Sequence, residues 1–226
     1  MTTMTPGSPE QVSLILSHLA QLYPDATCEL NYTNSFELLV ATVLSAQTTD
    51  VRVNQVTPAL FARFPDPVAL AGASLAELEE IVRPLGFFRA KAKSLSGLAR
   101  ALVEVHDAVV PATLKELVAL PGVGRKTANV VLGNAFGVPG ITVDTHVGRL
   151  TRRWGWTEQT DPVKAERELM GVMPEENWTI DCHRIIYHGR RVCHSRSPEC
   201  GACVLADVCP SAGEGRRRLA GVVPRS

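Results

Sequence analysis

The sequence lacks a net charge and long apolar runs, and each absence excludes a class of protein. Its 226 residues contain 23 basic and 23 acidic side chains, so the formal net charge is zero and bulk charge indicates no anionic partner. Any contact with nucleic acid must then come from local basic patches. The longest uncharged apolar run, Leu38 to Ala46, is far shorter than the roughly 20 apolar residues that a membrane-spanning helix needs.

A secretory signal is also missing. The first residues, MTTMTPGSPE, have no basic start and no apolar middle. We therefore expect a cytoplasmic protein with no membrane partner. Hydrophobic residues make up 45% of the chain, which is enough for a sizeable core.

No segment shows the sustained alternation that is typical of strands, whereas helical spacing of apolar residues recurs. We predict an all-α protein in which Ser8 caps the first helix. The apolar helix at 35–47 should be central and buried, and Pro58 should break or restart the helix that follows. Helices are expected over residues 9–22, 35–47, 50–64, 75–83, 88–105, 113–120, 124–136, 145–154, 162–172 and 177–190.

Two segments of the chain resemble each other. LEEIVRPLGFFRAKA begins at Leu78 and LKELVALPGVGRKTA begins at Leu114, so that Gly86 matches Gly122. Both segments predict a helix, a tight turn and a second helix. A duplicated module and a turn shared by two unrelated helix pairs both explain this similarity.

The second of these turns has features of a DNA-binding hairpin. Pro121 ends the preceding helix, and Gly122 and Gly124 allow a close approach that a side chain would block. The open amides at the start of the next helix can bind a phosphate, and Arg125 adds positive charge. Such contacts position DNA without reading its sequence. An ordinary helical hairpin would explain a bare Pro-Gly, but LPGVG followed directly by RKTA favours DNA binding.

Four of the six cysteines are clustered near the end of the chain, and Cys28 and Cys182 are predicted to be ordinary core residues. Clustered cysteines in a cytosolic chain favour a metal site over disulfides. The chemistry of four thiolates alone leaves zinc and a [4Fe–4S] cluster both open. The spacing of the cluster is Cys193-x6-Cys200-x2-Cys203-x5-Cys209.

LPGVGRKTANVV, the segment VDTH at 143–146 and the 6-2-5 cysteine spacing together resemble the helix–hairpin–helix superfamily of DNA glycosylases, and most closely the endonuclease III family. The resemblance covers about residues 9–211. It implies a bifunctional DNA glycosylase and AP lyase that removes oxidised pyrimidines, such as thymine glycol, from duplex DNA. It also implies that the four cysteines hold a [4Fe–4S] cluster as a structural staple.

The resemblance assigns the catalytic residues. Lys126 is the implied nucleophile, which attacks the sugar C1′, expels the damaged base and forms a Schiff base that undergoes β-elimination. The attack needs a neutral amine, which burial and cationic neighbours would favour. Asp144 corresponds to the aspartate that stabilises positive charge on the sugar, although an aspartate before a helix is often only an N-cap. The counterpart of His146 lies in the same pocket.

The resemblance also implies residues that enter the DNA when the target base is flipped out. Gln47, in LSAQTTD, matches the family's gap-filling glutamine, and Leu85 and Phe87, in LGFF, match its apolar wedge. The chain departs from the family at Phe87, where leucine is common, and from its most familiar members at Thr48. An aromatic ring at 87 can still wedge between bases, but the preference for the opposite base then stays open.

The loop between the first two cysteines is expected to face a phosphate through Arg196. Glu199 stands where a basic residue is common in the family, so this loop should bind DNA more weakly. A solvated basic face that screens an anionic cluster is the alternative explanation.

The implied architecture has two helical lobes with a DNA-binding cleft between them. Residues 28–138 form a six-helix lobe with the hairpin, whereas 139–211 form the cluster lobe, on which residues 1–27 pack. Residues 212–226 should be a mobile basic tail. We expect a monomer in the cytoplasm, associated with the nucleoid, that binds double-stranded DNA with a damaged pyrimidine or an abasic site.

Three other functions were considered. An adenine glycosylase of the same superfamily lacks the nucleophilic lysine and carries a further C-terminal domain, so Lys126 and the short chain argue against it. A mismatch thymine or uracil glycosylase typically has tyrosine at the lysine position. A non-catalytic DNA-binding module would bind DNA without turnover.

Overall fold

The computed structural model describes residues 4–213, and every regular element in that range is helical. Eleven α-helices and two short 3-10 helices follow one another, with no strand in the described range. The predicted all-α fold class is confirmed. No helix in this part of the chain has both the length and the apolar character to cross a membrane. The mobile tail predicted at 212–226 lies outside the described residues, apart from its first two positions.

The chain divides into two compact units. One unit is Cys28–Gly140, and the other joins the residues up to Thr27 to those from Ile141 onward. The first unit contains seven α-helices, one more than the six predicted, and α2 is its central helix because every residue from Leu38 to Leu44 is buried. The helices are α2 Ser35–Leu44, α3 Asp50–Arg63, α4 Pro67–Ala71, α5 Leu75–Val82, α6 Phe88–His106, α7 Leu114–Ala119 and α8 Arg125–Ala135.

The second unit has its own hydrophobic core, in which α1 packs on α11 and α11 packs on α9. Trp154 and Trp178 are buried in this core together with Ile15 and Ile185. Its helices are α1 Pro9–Leu22, α9 Thr145–Arg153, α10 Pro162–Met170 and α11 Trp178–Arg191. Beyond α11 the described chain forms turns only, up to residue 213.

Side-chain caps explain where most helices begin. The predicted cap Ser8 accepts a hydrogen bond from the Gln11 amide and so satisfies an amide that has no partner within the helix. Helices α6 and α8 instead begin after glycine turns and have no side-chain cap. The caps of this kind are Ser8, Asn34, Thr49, Asp66, Ser74, Thr113, Asp144 and Asp161.

Three sequence predictions of helix boundaries were wrong. The five-residue helix α4 was missed because it is too short for a periodic pattern. Helix α2 ends at Leu44 instead of 47, which leaves Gln47 in a loop. Pro58 does not break α3, because it is exposed and water can hydrate the carbonyl that loses its helical partner.

Candidate active site and cysteine cluster

The hairpin predicted from sequence is formed by α7, a turn at Leu120–Gly124 and α8. Gly122 has a φ of +78°, and a Cβ there would lie 2.9 Å from Ser94 Cβ, so the fold itself requires glycine at this position. Gly124 has an ordinary φ of −90°, and its Cβ would meet no atom within 4 Å. The space beside Gly124, next to the uncapped start of α8, is therefore open to a ligand.

Lys126 is the second residue of α8, and its side chain is exposed. Burial around this amine was predicted from the sequence, whereas in the protein alone the side chain is exposed. Arg125, just before it, is half-buried. The structure thus presents the amine of Lys126 to solvent directly beside the glycine turn.

The two predicted insertion segments have strained backbones at their tips. Gln47 has a φ of +56° and is exposed, and Phe87 has a φ of +45° and is 69% exposed. Residues with a side chain rarely adopt such angles. Leu85 differs, because it is only 4% exposed and belongs to the hydrophobic core of its unit. The geometry therefore favours Phe87 over Leu85 as the inserting side chain.

Beneath these segments lies a buried lysine that the sequence analysis missed. Lys91 is 6% exposed, and its Nζ donates to Leu44 O at 2.8 Å, Ala46 O at 2.9 Å and Thr48 Oγ1 at 2.7 Å. Burial lowers the pKa of this amine. A signal was present in the sequence, since Lys91 precedes the buried Leu95 by four residues and so lies on the same face of α6.

Asp144 belongs to the other unit and caps α9. Its Oδ1 accepts hydrogen bonds from the amides of His146 and Val147, both at 2.8 Å. The predicted N-cap is therefore confirmed. It uses only one of the two carboxylate oxygens. The charge already acts on a neighbour: burial lowers the pKa of His183, and Asp144 partly opposes this shift.

His146 is half-buried, and its Nδ1 lies 3.1 Å from Arg149 Nη2. Helix α11 passes close to this pair, because a Cβ at Gly189 would lie 2.8 Å from His146 Nδ1. Arg149 Nη2 also donates to Gly189 O and to Cys193 O. The region after Asp144 is thereby tied to the first cysteine of the cluster, a link that the sequence analysis missed.

All four clustered cysteines line one cavity, and none of them forms a disulfide. Each is half-buried, and Trp154 and Leu205 close the cavity on its apolar side. Burial raises the pKa of the Cys203 thiol and that of Cys209, the latter to about 11. A metal cofactor must displace these protons, since thiolate is the binding form. Among residues 4–213, no three His, Cys, Asp or Glu side chains are close enough to hold a single metal ion.

Two further side chains lie within hydrogen-bonding distance of the cysteine sulfurs, and one of them, Arg153, donates. Arg153 Nη1 lies 3.1 Å from Cys193 Sγ, and the same guanidinium donates to His194 O and Ser195 O. His188 Nε2 lies 3.5 Å from Cys203 Sγ. Burial lowers the pKa of His188 to about 4, so this imidazole is neutral at physiological pH. Cationic and N–H donors favour thiolate, so this environment suits a thiolate-bound cofactor.

In the loop between the first two cysteines, Arg196 is exposed. Glu199 lies near His194, with 3.4 Å between Oε1 and Nε2. The loop therefore presents the exposed Arg196 and, near His194, the acidic Glu199, and its weaker contact with DNA stays a prediction. Cys182 is buried in the core, as predicted, whereas Cys28 is only partly buried.

Comparison with known proteins identifies the family of this chain. Residues 40–175 match the model of the HhH-GPD superfamily of base excision DNA repair proteins, and residues 193–209 match the iron–sulfur binding domain of endonuclease III. Endonuclease III of Synechocystis sp. is 54% identical over 204 residues, which cover 90% of this chain and 93% of the relative. The chain belongs to the endonuclease III family.

Solved structures agree with this membership. A non-covalent endonuclease III–DNA complex has a TM-score of 0.88 and 43% identity, and the match covers 94% of this chain and 99% of that one. A trapped endonuclease III–DNA covalent intermediate gives the same values. The protein is therefore a base-excision-repair DNA glycosylase with AP lyase activity, and its macromolecular partner is DNA.

The cofactor of this family member is a [4Fe–4S] cluster. The residues fit it, because four free thiols border one cavity, Arg153 donates to Cys193 and the His188 ring contacts Cys203. When bound, the cluster crosslinks through its thiolates a segment that contains no helix of its own. Cys193, Cys200, Cys203 and Cys209 would hold it.

Proposed function

We propose that this enzyme releases oxidised pyrimidines, such as thymine glycol, from duplex DNA and then cleaves the abasic strand by β-elimination. The observation that carries the proposal is the exposed amine of Lys126 in the first turn of α8, beside a glycine turn and the backbone amides of a helix start that has no side-chain cap. A phosphate bound at those amides would bring the sugar of a neighbouring nucleotide within reach of the amine.

Lys126 acts as the nucleophile in this proposal. Its neutral Nζ forms a bond to C1′. The glycosidic bond between C1′ and the base nitrogen breaks, and the base leaves with the electron pair of that bond and takes up a proton. Opening of the sugar ring yields the Schiff base. Loss of a proton from C2′ then breaks the C3′–O bond, the phosphate leaves with that electron pair, and water releases Lys126. Because the side chain is exposed in the protein alone, bound DNA has to supply its desolvation.

Asp144 supplies a carboxylate that stabilises positive charge on the sugar as the base departs. The cap supports this role because it fixes Oδ1 on two amides and so fixes the orientation of the group. Asp144→Asn keeps a capping oxygen but removes the charge, so base release should slow about 100-fold while stability is retained. Single-turnover base release measures this, with thermal unfolding as the control. Near-normal turnover in Asp144→Asn would reduce Asp144 to a structural cap.

The DNA contacts are proposed from the same geometry. Gln47 fills the gap left by the flipped base, and Phe87 wedges beside it, since both tips are exposed. Leu85 supports the turn from within the core. The amides and charge of Gly122, Gly124 and Arg125 hold a phosphate, and His146 and Arg196 are the contacts assigned to the other unit.

Covalent trapping tests the proposed function. The protein is incubated with a duplex that contains one thymine glycol, borohydride is added, and a covalent protein–DNA band is expected. Lys126→Gln should lose the band, whereas Lys115→Gln, at an exposed lysine on α7, should keep it. A band that persists in Lys126→Gln refutes the nucleophile. An abasic duplex tests the lyase chemistry without base release. Trapping on the abasic duplex but not on the thymine glycol duplex would exclude thymine glycol as a substrate and leave the nucleophile intact.

We further propose that the enzyme acts as a monomer on nucleoid DNA in the cytoplasm. The monomer is supported by two hydrophobic cores that residues of a single chain complete. Light scattering after size-exclusion chromatography should give a mass near 24.4 kDa. A dimer mass would contradict this.

A further inference from the structure

The loop that carries Gln47 and the turn that carries Phe87 are tied together by one hydroxyl group. Thr48 Oγ1 donates to Leu85 O at 2.9 Å, across 37 positions of sequence, and accepts from Lys91 Nζ at 2.7 Å. A hydroxyl has one proton, so the donated bond goes to the nearer carbonyl, Leu85 O, and not to Ala46 O at 3.4 Å. Thr48, which lies in the Gln47 loop, thus bonds to the turn that carries Phe87 and to the buried lysine.

Lys91 makes this tie rigid. Its other two bonds go to Leu44 O, one of the last carbonyls of α2, which have no partner within the helix, and to Ala46 O in the loop that follows. A cation at the negative end of a helix is favourable, and hydrogen bonds from a charged donor are among the stronger ones. The end of α2, the loop that follows and the start of α6 therefore share one buried anchor.

The two tips gain from such an anchor because their backbones are strained. Gln47 and Phe87 are two of the four non-glycine residues with positive φ in the described range. Strained positions persist only where the surrounding structure holds them in place. A second bond between the segments, from Arg52 Nε to Pro84 O at 3.1 Å, lies on the exposed side. Both tips border one cavity of about 260 Å³, with Lys91 in its wall.

We propose that the Thr48 hydroxyl, held by Lys91, clamps the Gln47 loop and the Leu85–Phe87 turn into one preorganised, two-pronged wedge, and so positions both tips for base eversion. The inference rests on the proposed insertion of Gln47 and Phe87. Preorganisation lowers the cost of ordering the two tips when DNA binds. Thr48 and Lys91 are positioning residues here, since neither is assigned a contact with the reacting atoms.

Local DNA unstacking tests the clamp without any chemical step. The probe is a duplex with 2-aminopurine beside a tetrahydrofuran abasic analogue, and the fluorescence rise after mixing with holoenzyme reports insertion. Thr48→Val keeps the shape of the side chain and removes the hydroxyl, so the rate should fall about tenfold, as for loss of a hydrogen bond to a charged group. Thr48→Ser restores the hydroxyl and should restore the rate. Thr48→Ala, which lacks the hydroxyl but is smaller, should behave like Thr48→Val.

The outcomes separate the clamp from the wedge. A normal rate in Thr48→Val overturns the clamp if Gln47→Ala and Phe87→Ala lose the signal. An unaltered signal in Gln47→Ala and Phe87→Ala overturns the wedge, and the clamp with it. Thermal unfolding of each Thr48 variant controls for a general loss of structure. If Thr48→Ser slows insertion as much as Thr48→Val, the effect comes from packing and not from the hydroxyl, and the proposal is overturned.

Discussion

Two lysines of the Cys28–Gly140 unit, each early in a helix that follows a glycine turn, have opposite surroundings. Lys91 in α6 is buried and gives three hydrogen bonds to Leu44, Ala46 and Thr48, whereas Lys126 in α8 is exposed. The position on the helix decides the difference, because Lys91 lies on the face that packs on the core. One amine holds the fold, and the other is left available for a substrate.

The turns before these lysines are alike. Gly86 and Gly122, which match in the repeated segment, both have positive φ, at +69° and +78°. A shared turn and a duplicated module both remain compatible with these matching glycines. The turns differ in their surroundings, since a Cβ at Gly122 would clash with Ser94 and one at Gly86 would meet nothing within 4 Å.

The largest effect expected from this comparison is a separation of activity from stability. Lys126→Gln should abolish covalent trapping but change the free energy of unfolding by less than about 0.5 kcal/mol, as for an ordinary surface substitution. Lys91→Met should still form the trapped complex while losing stability. Trapping and urea unfolding of both variants measure this. A strongly destabilised Lys126→Gln would show that the exposed amine has a structural role.

Substitutions at the two hairpin glycines should separate an effect on stability from an effect on DNA binding. Gly122→Ala should cost about 2 to 3 kcal/mol of unfolding free energy, because positive φ and the close contact with Ser94 both oppose a side chain. Gly124→Ala should be nearly neutral in stability, because its Cβ would meet no protein atom within 4 Å. It should weaken DNA binding, because the added methyl group would occupy the space proposed for the phosphate. Urea unfolding and fluorescence anisotropy with an abasic duplex test the pair. Unchanged DNA affinity in Gly124→Ala would contradict the phosphate site.

The buried lysine should contribute measurably to stability. Lys91→Met leaves the buried Leu44 carbonyl without its lysine donor, which should cost about 2 kcal/mol. Urea unfolding measures the change, and Lys93→Met, at an exposed lysine of the same helix, is the matched control. Equal losses in the two variants would indicate a general effect of charge on α6.

The smallest expected effect is a dependence on pH. Burial lowers the pKa of Lys91 below its ordinary value of 10.5, so the unfolded chain binds this proton more tightly. Stability therefore rises as pH increases through the folded pKa toward 10.5, and at lower pH the contribution of this group to stability does not change with pH. The difference in unfolding free energy between wild type and Lys91→Met should grow from neutral pH to about pH 10. A difference that shrinks over this range would show that the hydrogen bonds to Lys91 outweigh its burial.

Much of the molecule followed from local sequence patterns, because their physical causes are local. Caps such as Ser8 and Asp144 act within three residues, and the periodic helices needed only their own apolar spacing. The cysteine spacing and LPGVGRKTA were sufficient to indicate the family and its cofactor, which the comparisons confirm. The catalytic roles of Lys126 and Asp144 remain predictions.

Contacts between distant residues were decided by the tertiary structure alone. Leu85 and Phe87 are two positions apart, yet one is in the core and the other in solvent. Thr48 meets Leu85, and Arg153 meets Cys193, only after the helices have packed. The sequence by itself determined most of the helices, the turn and the clustering of the four cysteines, because each depends on neighbours in the chain. Packing decided which lysine is buried and which tip is exposed, because burial depends on partners that are remote in sequence.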